Sequence, residues 1–167
     1  YHFQCVTTPG HTLGHTCLYD PDKKILLAGD HVLIDITPNI QCWSDTANPL
    51  KDYLASLDKV DKLHIDLVLP GHRRLIDNHK ARIEELKKHH VHRLDEVLTI
   101  LKEGPMSAFQ TASQMTWDID CENWNQYPVA QKWFATGEAI SHLRYLEQDG
   151  RIVRISTDKT TKFALGT

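Results

Sequence analysis

The sequence predicts an α/β layer structure followed by a smaller α+β unit. Three observations carry that reading. Short apolar runs broken by Gly and Pro alternate with one amphipathic stretch up to about Asp77. A long stripe at helical spacing follows, and the chain ends in helices and two β-rich runs joined by a polar turn.

Within the first part, His2–Thr7, Cys17–Asp20, Ile25–Ala28 and Ile65–Leu69 predict strands, because they are short and their composition suits a pleated surface. Pro49–Val60 predicts a helix with Leu50, Tyr53, Leu54 and Leu57 on one face. Asn78–Glu103 predicts one long helix, with Ile83, Leu86, Leu94, Val97, Leu98 and Leu101 on a stripe. Asp77 or Asn78 can cap it and Gly104-Pro105 stops it. Beyond lie a helix around Ser107–Trp117, a polar segment with two tryptophans, and a helix at Gly137–Asp149. Ala139, Ile140, Leu143 and Leu146 face inward on that last helix. Arg151–Ile155 and Thr161–Leu165 predict a hairpin. The expected organisation is therefore residues 1–77, a connecting helix over 78–103, and a small domain over 104–167.

Composition narrows the classes of function. The chain has 167 residues, 41% hydrophobic and 25% charged, as a folded domain requires. A net charge of −3 provides no general attraction to nucleic acid or anionic lipid. No apolar run approaches a membrane span, so no membrane partner is expected. Cys5, Cys17, Cys42 and Cys121 are scattered without a C-x-x-C pair, and a reducing cytoplasm is the expected compartment. The chain opens at Tyr1 in a strand-like run without an initiator methionine, which reads as a cut through a larger protein.

The chemistry is concentrated in three turns. Phe3-Gln4-Cys5-Val6-Thr7-Thr8-Pro9-Gly10 precedes His11, Ile25-Leu26-Leu27-Ala28-Gly29 precedes Asp30, and Leu67-Val68-Leu69-Pro70-Gly71 precedes His72. Each apolar run ends in a glycine that lets the backbone turn sharply and then delivers a metal-competent side chain. Strand ends converge on one rim of a sheet, and imidazoles with a carboxylate suit zinc, manganese or iron. A single Gly-His or Gly-Asp would be an ordinary turn; three in succession argue for a metal site. His11 and His15 are four apart, but Pro9, Gly10 and Gly14 exclude a helical zinc motif.

Thr8-Pro9-Gly10-His11-Thr12-Leu13-Gly14-His15 resembles the T-P-G-H-T-x-G-H motif of the metallo-β-lactamase superfamily. Ala28-Gly29-Asp30-His31 is similar to its bridging-aspartate motif, and Leu69-Pro70-Gly71-His72 to its last histidine motif. The resemblance implies the second half of an αββα sandwich followed by a winged-helix-like α+β domain. Ser107-Ala108-Phe109 and Trp133-Phe134-Ala135-Thr136-Gly137-Glu138 are similar to the branch carrying such a tail, which includes glyoxalase-II-like hydrolases and lactamase-like endoribonucleases. It further implies two zinc ions in the intact protein, with iron or manganese as alternatives. His11 would complete one metal site and His72 the other, and Asp30, the catalytic candidate, would bridge them. His15 would brace the loop of His11; His31 approaches the site or packs in the core.

The family's H-x-H-x-D-H motif is missing from these residues. The resemblance therefore implies that this chain alone is inactive, and that the exposed face of its sheet makes it self-associate. His89-His90-Val91-His92 reads as a solvated helix face. Asp35–Asn48 is expected to line a substrate cleft, with Trp43 as cleft wall or core, and Trp117, Trp124 and Trp133 are expected in the core of the small domain. A small acyl, ester or thioester substrate is favoured, with a metallo-β-lactamase-fold ribonuclease as one alternative. The other is a winged-helix nucleic-acid-binding or purely structural module. From Gly104 onward six basic residues face seven acidic ones, so DNA binding is not expected. The four basic residues of the hairpin, Arg151, Arg154, Lys159 and Lys162, are the argument on the other side.

Overall fold

The computed structural model describes residues 1–157 and 160–166. Lys159 and the acidic Asp158, both counted above, lie outside the described residues. The chain divides into two compact units: Tyr1–Ile40 with Pro49–His90, and Gln41–Asn48 with the residues from Val91 on. This differs from the expected boundaries, since the division falls inside the long helix and the loop 41–48 joins the second unit.

The first unit is built on a four-stranded sheet in the order β1 (Gln4–Thr7), β2 (Thr16–Asp20), β3 (Ile25–Gly29), β4 (Leu67–Pro70). β1–β2 and β2–β3 are antiparallel, and β3–β4 are parallel. Tyr19 pairs with Leu26 and Leu26 with Val68, so one row of buried side chains runs across three strands. Alternation along β3 buries Leu26 and Ala28 on that same face. The β2–β3 hairpin is closed by the buried Asp20, whose Oδ1 accepts from the backbone N–H groups of Asp22 and Lys23 at 3.1 and 3.0 Å.

Parallel strands need a crossover, and α1 (Pro49–Asp61) lies between β3 and β4 in the chain. It buries Leu50, Tyr53, Leu57 and Val60 completely. Each such aliphatic or aromatic side chain contributes roughly 1.5–3 kcal/mol by leaving water. α2 (His79–Leu101) starts where Asn78 accepts the Ala81 N–H at 3.0 Å, which settles the cap in favour of Asn78. The apolar stripe of α2 contains His90, fully buried with its ring 5.4 Å from Tyr53. The expectation of a solvated histidine face is corrected here. His90 lies four residues beyond Leu86 and four before Leu94, on the buried face, while Val91 is exposed.

In the second unit α3 (Ala108–Gln114) opens with a capping box between Ser107 and Gln110, and a 3₁₀ turn spans Trp124–Gln126. Next, α4 runs over Val129–Gln148, beginning eight residues before the expected Gly137. Pro128 sets its start and Gly137 is mid-helix, where close packing against Gln41 takes precedence over helix propensity. The helix ends in paired bonds, Gly150 N–H to the Glu147 carbonyl and Arg151 N–H to the Leu146 carbonyl. β5 (Ile152–Ser156) and β6 (Thr161–Leu165) form the antiparallel hairpin, and Met106 exchanges two backbone bonds with Phe163. Trp117 is half-buried beneath the Arg93 guanidinium, 4.2 Å from the ring centroid, and Trp124 is half-buried. Trp133 corrects the core expectation: it lies beside Trp43 and is 52% exposed. No helix among the described residues is long and apolar enough to cross a membrane.

Candidate functional site

Strand direction brings the three turns together. β1 runs antiparallel to β2, and β2 antiparallel to β3, so β1, β3 and β4 all point the same way. Their carboxy-terminal ends meet at one rim, and each is followed by its turn. The Gly71 N–H donates to the Gly29 carbonyl at 2.8 Å and ties two of the turns to each other.

Asp30 stands between the two histidines. Its Oδ1 lies 3.3 Å from His72 Nε2 and its Oδ2 lies 3.7 Å from His11 Nε2. The His11 ring is oriented by Nδ1–H, which donates to the Asn39 carbonyl at 2.8 Å. A carbonyl can only accept, so in the neutral ring the proton is on Nδ1 and the Nε2 lone pair points at the carboxylate. Two electron-rich atoms facing each other at this distance suit a cation. Zinc ligands sit about 2.0–2.2 Å from the ion, which places two of them roughly 3.4 Å apart at the tetrahedral angle. Among the described residues no three His, Cys, Asp or Glu side chains close around one point. Each histidine instead meets a different oxygen of Asp30. The rim is open, with His72 63% exposed in its side chain against about a third for the other two.

α1 holds the turns from beneath. Ser56 Oγ donates to the Pro9 carbonyl at 2.8 Å, and the Tyr53 hydroxyl donates to the His31 carbonyl at 3.0 Å. Gly10 packs so closely that a Cβ would lie 2.5 Å from Tyr53 Cβ, and its φ of +147° disfavours any other residue. At Gly71 a Cβ would meet Asp30 Oδ1 at 2.6 Å, so glycine is what lets the carboxylate approach this turn. The loop after Asp30 is held by Arg82, which donates to the carbonyls of Leu33 and Ile36 at 2.7 and 2.8 Å.

His15 and His31 surround these groups without joining them. His15 Nδ1 shares a hydrogen bond of 2.8 Å with the buried Thr8 hydroxyl, in the turn that carries His11. Burial lowers its pKa, His11 adds to the effect and Asp30 opposes it. His31 is fully buried, 5.3 Å from the Tyr53 ring and 5.9 Å from that of His15. Burial first, then the charge of His15, drives its pKa down to about 3, so it is neutral near pH 7. Packing, the second of the two expected roles, is where the structure places it.

Tyr53 and Ser56 are the supporting residues that sequence reasoning missed. Ser56 lies three residues beyond Tyr53, on the apolar side of α1, and a small polar residue on such a stripe is the signal that could have found it. Asn39 acts through its backbone, which leaves no trace in side-chain identity.

The rim thus brings two imidazoles to one shared carboxylate. Residues 4–72 match the profile of the Metallo-beta-lactamase superfamily, and residues 94–165 match its Metallo-beta-lactamase-like, C-terminal domain. The chain belongs to the metallo-β-lactamase superfamily. It is 32% identical over 163 residues to the probable metallo-hydrolase YqjP of Bacillus subtilis (strain 168), covering 93% of this chain and 48% of that protein. It is 38% identical over 72 residues to the acyl-coenzyme A thioesterase MBLAC2 of Homo sapiens, covering 38% of this chain and 23% of that one. The crystal structure of a beta-lactamase domain protein from Burkholderia ambifaria superposes with a TM-score of 0.87 at 34% identity, over 98% of this chain and 48% of that one. The chain thus spans about half the length, or less, of these relatives.

Proposed function

We propose that the whole protein is a metal-dependent hydrolase of acyl esters or thioesters that works with two transition-metal ions at the rim formed by His11, Asp30 and His72. Zinc is the first choice; iron and manganese suit the same donors. The observation that carries the reading is Asp30, which turns a separate oxygen to each of two imidazoles. Three side chains cannot complete two sites, so the reading takes the remaining ligands from residues outside these 167.

Bound ions would supply Lewis acidity, bringing the pKa of water to about 7 and stabilising negative charge on a carbonyl oxygen. The chain's own residues set the stage for that chemistry. The Asn39 carbonyl holds His11 in the tautomer whose Nε2 is free to coordinate. Thr8 and His15 brace its turn, and Ser56 fixes the backbone before it. His31 packs beneath as a neutral ring. An acyl thioester as substrate is supported by the likeness to a relative named as an acyl-coenzyme A thioesterase.

The same reading takes α3, α4 and the β5–β6 hairpin as a winged-helix-like unit that does not read DNA. Two of its hairpin arginines are engaged within the unit. Arg154 contacts Glu147 and Asp45, each at 3.1 Å, and Arg151 lies 3.8 Å from Asp95. Phosphate binding needs basic side chains that are free to release counterions.

Elemental analysis and thioester hydrolysis by the full-length protein and its Asp30→Ala variant test the proposal. The expected result is two metal equivalents falling to one or none, with turnover of an acyl-coenzyme A thioester reduced about 100-fold or more. An unchanged metal count would remove Asp30 from the site. Cleavage of RNA without thioester turnover would replace the substrate class.

A further inference from the structure

The two histidines of the rim are held differently. The Asn39 carbonyl fixes the His11 ring, whereas among the described residues the polar partner of the His72 ring is Asp30 Oδ1, at 3.3 Å. The place of His72 is therefore set by its turn. Val68 and Ile76 close the base of that turn with two backbone bonds of 3.1 and 3.2 Å, and the Gly71 N–H ties one side of it to the Gly29 carbonyl. Beyond His72, Arg73 has a φ of +70°, a left-handed conformation that is strained in residues other than glycine. Such a conformation persists where its surroundings hold it.

The far side of the turn is held by Asp35. Arg74 Nε donates to Asp35 Oδ2 at 3.0 Å and Arg74 Nη2 donates to Asp35 Oδ1 at 2.8 Å, which makes a two-pronged fork. Asp35 lies on the loop that follows Asp30, and it too is left-handed, with a φ of +65°. The carbonyls that flank it, those of Leu33 and Ile36, are the two that Arg82 of α2 holds. A continuous path of polar contacts thus runs from α2 through the Asp30 loop to the turn of His72. Every residue on it belongs to the first unit. Exposed ion pairs generally contribute little, and the bidentate arginine–carboxylate fork is the exception.

We infer that Asp35 and Arg74 are positioning residues, whose ion pair clamps the loop after Asp30 to the turn after Gly71 and so sets the spacing between Asp30 and His72. The clamp is read from the contacts alone. That the spacing serves a metal ion rests on the hydrolase reading.

Asp35→Asn and Arg74→Gln test the clamp in the full-length protein. Asparagine suits the left-handed backbone at position 35 while losing the charge and one acceptor oxygen. In metal-free protein, hydrogen exchange of the Gly71 amide is expected to rise about fivefold in either variant. The double variant is expected to exchange no faster than the singles, because either change alone opens the fork. Arg74→Lys keeps the charge but cannot form the fork, so it is expected to behave like Arg74→Gln. Unchanged exchange, a double variant whose effects add, or wild-type exchange in Arg74→Lys overturns the clamp. Zinc, followed by competition with a chelator, is the second probe. Asp35→Asn and Arg74→Gln are each expected to release one of the two ions about fivefold more readily. Faster exchange with zinc held as in wild type would leave the pair as a surface contact and overturn the positioning role. Wild-type protein that takes up no zinc would remove the hydrolase reading, and the exchange result would still decide the clamp.

Discussion

The two units position their partly exposed side chains by different means. In the first, His11, Asp30 and His72 stand on turns whose backbones are bonded to their surroundings: Gly71 to Gly29, Pro9 to Ser56, and His31 to Tyr53. In the second, Trp43 and Trp133 project from a loop and a helix whose positions are set by side chains. Arg144 donates to Glu147 and to the Asp45 carbonyl, while Arg154 adds contacts to Asp45 and Glu147. The metal ligation proposed for these residues would tolerate errors of only a few tenths of an ångström, a demand that backbone-anchored turns suit. An aromatic surface works mainly by area, for which side-chain packing suffices.

All four tryptophans, Trp43, Trp117, Trp124 and Trp133, fall in the second unit. Tryptophan fluorescence thus reports on that unit, and hydrogen exchange at Leu26 and Val68 reports on the first. The largest expected effect comes from Leu143→Ala in the fully buried face of α4, which should cost about 2–5 kcal/mol. Denaturant melts followed by fluorescence should show it. Equal loss of protection at Leu26 and Val68 would mean that the two units unfold as one and would erase the comparison.

Gly10→Ala should come next, at about 2 kcal/mol or more, because the new methyl meets the backbone of Tyr53 at 2.6 Å as well as its side chain. Exchange at Leu26 and Val68 should accelerate before fluorescence changes. The metal count of the full-length variant should drop as His11 is displaced. Full retention of metal would show that the turn is less constrained than its geometry implies.

The smallest effect is a pH dependence at the start of α2. His79 is buried, and burial first, then Lys80, lowers its pKa below 6.5. A cationic ring also opposes the positive end of the helix dipole. Protonation therefore favours the unfolded chain: this contribution is complete above pH 6.5 and is lost as the pH falls. His79→Gln should narrow the gap between denaturation midpoints at pH 7.5 and pH 5, and a gap that stays the same would assign the acid sensitivity to other groups.

Much of the first unit was legible because its signals are local. A short apolar run followed by Gly and His is visible along the chain, and the three runs did become β1, β3 and β4 with their turns at one rim. The second unit was read less well. Gly137 looked like a helix start, but its lack of a side chain serves Gln41, nearly a hundred residues earlier. Trp133 looked like core on hydrophobicity alone, a property that does not say which side of a helix will be covered. The first unit has its own misreading: His90 looked like part of a polar cluster, but its four-residue spacing from Leu86 and Leu94 buries it.

By itself the sequence determined which residue types arrive at the rim and that each arrives on a glycine-led turn, because turn conformation and strand length are set by neighbouring residues. It also determined the helices with clear apolar stripes and the closing hairpin. Only the tertiary structure decided that Asp30 would offer one oxygen to each histidine, that the Asn39 carbonyl would choose the tautomer of His11, and that Gln41 would pack against Gly137. These are contacts between residues far apart in the chain. Their geometry depends on how elements pack, and packing is a property of the assembled surfaces that no local pattern contains.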